Sequence, residues 1–227
     1  MIGIGGGAFY VPILLEFNFS FKTASTISLI IIIFGSFGAF IRYLISGDVS
    51  WKYFFIVEPV TFISALLSAF FVQYISDGIL NILLGIVLLL ISYIMFKKDN
   101  NMFNGIRNTL FNIIFISALA GVLAGALGIS GGVLKVPLLV IVCKLGMLQA
   151  VATSSLMIFF TSLSGLIGRI LYEDIPWKIG ITLGIFTVLG GFIGGHFAHN
   201  INKDYLGRIF SIILAFISLR ILIKQFF

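Results

Sequence analysis

The chain has 227 residues, of which 60% are hydrophobic and 10% charged, and its mean hydropathy is +1.20. So apolar a chain excludes an ordinary soluble domain, and the net charge of +6 is better read as orienting helices in a bilayer than as binding nucleic acid. The single cysteine, Cys143, excludes an internal disulfide framework.

The chain opens on Gly3-Ile4-Gly5-Gly6-Gly7 with no basic segment ahead of an apolar run, so no cleavable signal peptide is read there. A short half-helix is expected at about 8–17, followed by helices at about 24–45, 52–75 and 78–96. The polar run 97–107 reads as a linker. Beyond it, helices are expected at about 108–127, 149–171, 177–199 and 205–225, with a short piece at 133–145. Runs such as Ile30-Ile31-Ile32-Ile33 and Leu88-Leu89-Leu90-Ile91 are apolar on every side, which suits membrane helices and not the in/out alternation of a barrel.

An internal repeat organises these elements. Gly3-Ile4-Gly5-Gly6-Gly7-(x3)-Val11-Pro12 recurs as Gly128-Ile129-Ser130-Gly131-Gly132-(x3)-Val136-Pro137, an offset of 128 − 3 = 125. The segment from Ser36 to Trp51-Lys52 recurs as Ser162 to Trp177-Lys178, an offset of 177 − 51 = 126, so both tryptophans hold one repeat position. The expected fold is therefore an all-α polytopic transmembrane bundle of two homologous repeats, residues 1–104 and 105–227, each of about four helices with one glycine-broken helix. The second break follows a long apolar segment, 110–127, whereas only Met1 and Ile2 precede the first, so an upstream helix is expected to be missing from the first unit.

If each broken segment crosses the membrane once, the repeats are parallel, and most lysines and arginines share one side with the linker and the C-terminus. If the pieces cross separately, the repeats are inverted. The positive-inside rule favours the parallel version, with the linker and C-terminus both cytoplasmic and the protein a multi-pass component of the cell membrane.

Unwound backbone inside hydrocarbon is tolerated where it lines a cavity or is buried in protein, so the paired breaks mark either a site or close helix packing. As a site, they place N–H groups of Gly5, Gly6, Gly7, Ser130, Gly131 and Gly132, ahead of Pro12 and Pro137, where an anion could sit at half-helix N-termini. The hydroxyls of Thr26 and Ser28 and of Thr153, Ser154 and Ser155 lie at the starts of the next helices, where they either cap or bind. Lys135, three residues past a break in an apolar segment, is a candidate anion contact, with snorkelling to an interface as its alternative. Glu58 and His196 are candidates for proton coupling, though Glu58 also suits a place near the cytoplasmic interface. His196 and His199 lack a third ligand at metal spacing, so no metal and no cofactor is expected. Arg42 and Arg169 read as topological anchors and Trp51 and Trp177 as an aromatic belt. No constellation for enzyme catalysis is present; the partners expected are the lipid bilayer, a small anion and, as an open alternative to a monomer, a second copy of the chain.

The doubled Gly-x-(Gly/Ser)-Gly-Gly-(x3)-Val-Pro, the run Ala-x-x-Thr-Ser-Ser-Leu at 150–156 and the Gly-Asp or Glu-Asp turn before Trp-Lys resemble the sulfite exporter TauE/SafE family. The resemblance covers nearly the whole chain. It implies an integral membrane permease for small, mostly sulfur-containing anions such as sulfite or sulfonates, driven by an ion gradient and without an ATPase. The first unit departs from the pattern, reading Ala24-Ser25-Thr26-Ile27-Ser28-Leu29. An anion channel and a non-transporting subunit of a membrane complex are the rival readings.

Overall fold

Hydrocarbon offers no partner to a backbone N–H or C=O, so an apolar chain of this kind satisfies those groups within helices. The computed structural model describes residues 7–97, 109–170, 172, 174–198 and 203–226, and among them the regular elements are helical throughout. They are α1 (Gly7–Glu16), α2 (Phe21–Ser46), α3 (Trp51–Phe71), α4 (Asp77–Lys97), α5 (Leu110–Leu127), α6 (Gly132–Pro137), α7 (Met147–Ile170), α8 (Trp177–Ala198) and α9 (Lys203–Phe226). Five of them are long and apolar enough to cross a membrane. The start of α2 lies three residues before its expected position because Ser20 caps it, its hydroxyl accepting from the Thr23 N–H at 3.2 Å.

Close approaches fix the direction of each helix. Gly121 and Gly125 of α5 lie against Thr61, Ser64, Ala65 and Ser68, so α3 and α5 run parallel. Gly168 lies against Leu66 and Ala69, and the Ser164 hydroxyl donates to the Phe62 carbonyl, so α7 runs the same way. Gly165 meets Leu29, and Arg169 reaches Lys22, so α2 is antiparallel to α7. Gly180 and Gly184 of α8 meet Ile30 and Phe34, so α8 follows α2. Gly85 meets Leu222 and Gly78 meets Gln225, so α4 and α9 are antiparallel.

The second glycine break does not continue the direction of α5. Beyond Gly131 the chain turns back: Leu138, Leu139, Val142 and Cys143 pack with Val57, Ile113, Ile116 and Ala150, near the starts of α3, α5 and α7. Residues 132–142 are thus a half-helix antiparallel to its neighbours, with Pro137 followed by a widened π turn over Leu138–Val142. Each helix pair matched by the sequence offset (α2 with α7, α3 with α8, α4 with α9) consequently runs in opposite directions. This corrects the expectation of parallel halves, because it rested on a glycine-broken segment that crosses once.

The same geometry separates the linker from the C-terminus. Both α4 and α5 have their linker-proximal ends at one end of the bundle, the linker end, whereas the end of α9 lies beside the start of α4 at the opposite end, with Asn81 donating to Gln225 at 3.3 Å. The linker and the C-terminus therefore do not share a side, contrary to the sequence expectation. Trp51 and Trp177 sit half-exposed at the starts of α3 and α8, at opposite ends, as an aromatic belt on each interface requires.

Small residues set the central contacts. A Cβ on Gly125 would overlap the Ala65 carbonyl and the Ser68 hydroxyl, whereas one on Gly38 would meet nothing within 4 Å. Gly125→Leu is therefore expected to cost at least about 3 kcal/mol, and Gly38→Ala to be neutral or slightly stabilising. Melting temperatures in detergent micelles check this contrast; equal melting temperatures for the two variants would contradict the α3–α5 packing.

Candidate functional site

The centre of the bundle is polar. Helix α7 is the most enclosed of the candidate spans, yet its buried residues include Thr153, Ser154, Ser155, Thr161, Ser162, Ser164 and Arg169. Against it lies Lys135, fully buried on the returning half-helix, and Glu58 on α3, only 4% exposed. Lys135 Nζ is 2.9 Å from Glu58 Oε2 and also donates to Thr161 Oγ1. Thr161 donates onward to Glu58 Oε1 at 2.8 Å, and Thr61 donates to Oε2 at 2.8 Å. Glu58 is therefore not an interfacial residue, and Lys135 does not snorkel; the two alternatives open from the sequence close on a buried pair.

Such a pair is weak evidence for stability. Desolvating both charges consumes most of their mutual attraction, so a well-packed apolar replacement is often as stable. Its mounting points to function instead. Glu58 precedes Pro59 inside α3, and Lys135 stands between Gly131, whose φ is +60°, and Pro137. Both charges are carried where helical hydrogen bonding is interrupted.

A second buried cation organises the break itself. Helix α5 ends at Gly128 in the left-handed region, φ +68°, which leaves its last carbonyls without intrahelical partners. Arg169, 1% exposed, donates to the Gly125 and Ala126 carbonyls, each at 3.0 Å, and to the Lys22 carbonyl and Thr26 Oγ1, each at 3.2 Å. The Ser28 hydroxyl takes the Gly128 carbonyl at 2.8 Å. Arg169 is thus a buried clamp between the C-terminus of α5 and the N-terminus of α2, and its reading as a surface anchor is corrected. The cue was available: Arg169 follows Thr161 and Gly165 at helical spacing on a face of small and hydroxylated residues.

The start of α1 meets the second glycine break. A Cβ on Gly7 would stand 2.7 Å from both the Ser130 amide nitrogen and Ile32 Cδ1, and Gly131 lies against the aliphatic stem of Lys135. The Gly132 N–H closes on the Ser130 carbonyl at 2.7 Å and is not offered to a ligand, which corrects one part of the expected anion cradle. Thr26 and Ser28 belong to the Arg169 and Gly128 contacts. Thr153 instead accepts from the Ser50 N–H at 2.9 Å and, like Ser154 and Ser155, bonds a carbonyl of its own helix. Pro12 is buried within α1. Gly5 and Gly6 lie outside the described residues, as does the side chain of His196. Thr61, on α3 one turn beyond Glu58, was not singled out from sequence, because a lone threonine in an apolar helix carries no distinguishing pattern.

These contacts define a polytopic helical membrane protein with a buried ion pair beside a helix break, against which the start of α1 is packed. The chain belongs to the sulfite exporter TauE/SafE family of membrane transporters, whose description it matches over residues 1–221. It is 27% identical over 243 aligned positions to the probable membrane transporter protein MJ0441 of Methanocaldococcus jannaschii, covering 98% of this chain and 90% of that one. It is 26% identical over 258 positions to YunE of Bacillus subtilis, of the same description, covering 100% and 93%. A shorter match, 35% over 79 residues, is to MamO of Paramagnetospirillum magneticum, and spans 12% of that protein. No solved structure matches.

Removing Lys135 alone strands a buried carboxylate. Lys135→Met is expected to destabilise the protein by about 3–5 kcal/mol, and adding Glu58→Met to recover most of that loss. Thermal unfolding of the four members of this cycle measures the coupling, and additive losses would show that the charges do not depend on each other.

Proposed function

We propose that the protein is a secondary transporter for a small anion, with sulfite or a sulfonate as its cargo and Lys135 as the anion contact. The observation that carries this reading is the buried Lys135–Glu58 pair, held on interrupted helices beside the glycine break after α5. A fully buried ammonium has its charge balanced only by Glu58 among the residues it contacts, and an oxyanion is the ligand that could share it. The substrate class follows the family description. A carrier is favoured over a channel because the charged pair is buried inside the bundle instead of lining an open path. Inverted halves suit it, since a carrier exposes one site alternately to two sides.

Orientation follows from the basic residues. Arg42, Lys52, Lys97, Lys144 and Lys203 gather at the linker end, against Lys22, Lys178, Arg220 and Lys224 at the opposite end, so the linker end is assigned to the cytoplasm and the C-terminus to the other side. Single cysteines introduced at Asn100 and Phe227 are expected to label from opposite sides of intact cells. Labelling of both from one side would remove this orientation.

In liposomes, radiolabelled sulfite flux is expected to saturate, and Lys135→Gln to lower it by about tenfold or more, the loss of one charge-assisted hydrogen bond. Gly131→Leu is expected to abolish it. Saturable flux unchanged in both variants would move the site elsewhere, and absence of flux in the native protein would leave the non-transporting reading.

A further inference from the structure

The Glu58 carboxylate lies in a cradle suited to any small oxyanion. Lys135 on the half-helix, Thr61 on α3 and Thr161 on α7 all direct donors at its two oxygens. The chain thus fills this donor set with an anion of its own. Its net charge is zero, and an added monovalent anion would leave a net negative charge in a low-dielectric core, which is strongly disfavoured. A proton placed on Glu58 removes that cost. The neutral carboxyl no longer needs Lys135, and an incoming anion inherits the ammonium and the hydroxyls with the net charge still zero.

Resting on the anion-carrier reading above, we propose that Glu58 is an internal placeholder for the cargo: a small monovalent oxyanion and the Glu58 carboxylate occupy the Lys135, Thr61 and Thr161 donors alternately, so that one proton accompanies each anion. The proton passes from water on the entry side to a Glu58 carboxylate oxygen. It returns to water on the exit side when the anion leaves and the carboxylate recovers Lys135. The cycle moves no net charge.

Among the described residues, the elements packed around Glu58 hold no competing titratable group. Helix α5 carries none, and α7 carries only Arg169, two turns from Thr161 and engaged with carbonyls of α2 and α5. Lys52 and Tyr53 lie at the start of α3, and the half-helix carries only Lys135 ahead of Cys143 and Lys144. In the other half the corresponding positions are neutral. Tyr10 stands for Lys135 (135 − 10 = 125), Gly184 for Glu58 (184 − 58 = 126) and Thr187 for Thr61 (187 − 61 = 126). Tyr10 and Thr187 share a side-chain hydrogen bond, so the residues at these positions interact there without any charge. One ionisable pair implies one proton per cycle.

The test uses methanesulfonate, the anion of a strong acid that brings no proton of its own, with the full chain in liposomes containing a pH-sensitive dye. The native protein is expected to take up one proton per methanesulfonate. An inward gradient of one pH unit should then sustain about tenfold accumulation, and an imposed potential should have no effect. Glu58→Gln, a permanent mimic of the protonated state, is expected to lose the response to the pH gradient and to follow voltage instead, about 59 mV replacing the pH unit for the same tenfold accumulation. Methanesulfonate flux without proton uptake in the native protein overturns the proposal while sparing the carrier reading. So does pH-driven accumulation persisting in Glu58→Gln. No methanesulfonate flux in the native protein overturns the proposal, and absence of sulfite flux as well overturns the carrier reading with it. Because proton uptake is read on the native protein, misfolding of the variant cannot shelter the proposal.

Discussion

An ammonium and a carboxylate 2.9 Å apart, with no exposed surface on the lysine, can persist in a bilayer-spanning bundle only if every donor and acceptor around them is matched. The rest of the centre is arranged to meet that condition. Thr161 bridges the two charges and Thr61 takes a place on the carboxylate, so the pair is a four-residue network drawn from α3, α7 and the half-helix. Helix α3 approaches α5 through Gly121 and Gly125 and α7 through Gly168, and larger residues there would hold the three helices apart. Small residues are thus the steric condition for the polar network.

The half-helix poses a second problem of the same kind. Ending α5 inside the bundle exposes carbonyls that water cannot reach, and Arg169 and Ser28 supply their donors. A guanidinium suits this role because its planar fork serves several acceptors at once and stays charged. The negative end of the α5 dipole favours the cation further. With the break held in this way, Lys135 is positioned by a rigid turn at one end and by a proline and widened turn at the other.

A polar cleft of about 290 Å³ opens at the end of the bundle opposite the linker, lined by Glu16, Asn18, Asp77, Asn81 and Lys224 among others. Glu58 lies thirteen residues along α3 from the end that adjoins this cleft, roughly 20 Å at helical rise. The pair and the cleft are therefore separate levels of one molecule.

Much of this was legible in the sequence. Composition established a helical membrane protein, since hydropathy depends on residue type alone, and the second copy of the glycine motif located the break after α5, since clustered glycines interrupt helices wherever they occur. Lys135 and Glu58 stood out because charge is rare in such segments, but their partnership spans 77 residues and no local pattern encodes it. Arg169 was misread for the same reason: an arginine near a helix end looks like an anchor until another helix terminus is brought against it. Helix direction, too, was decided only in three dimensions. A glycine break permits the chain either to go on or to turn back, and the choice fell to packing, where Leu138, Leu139 and Val142 find apolar partners only by returning between α3, α5 and α7.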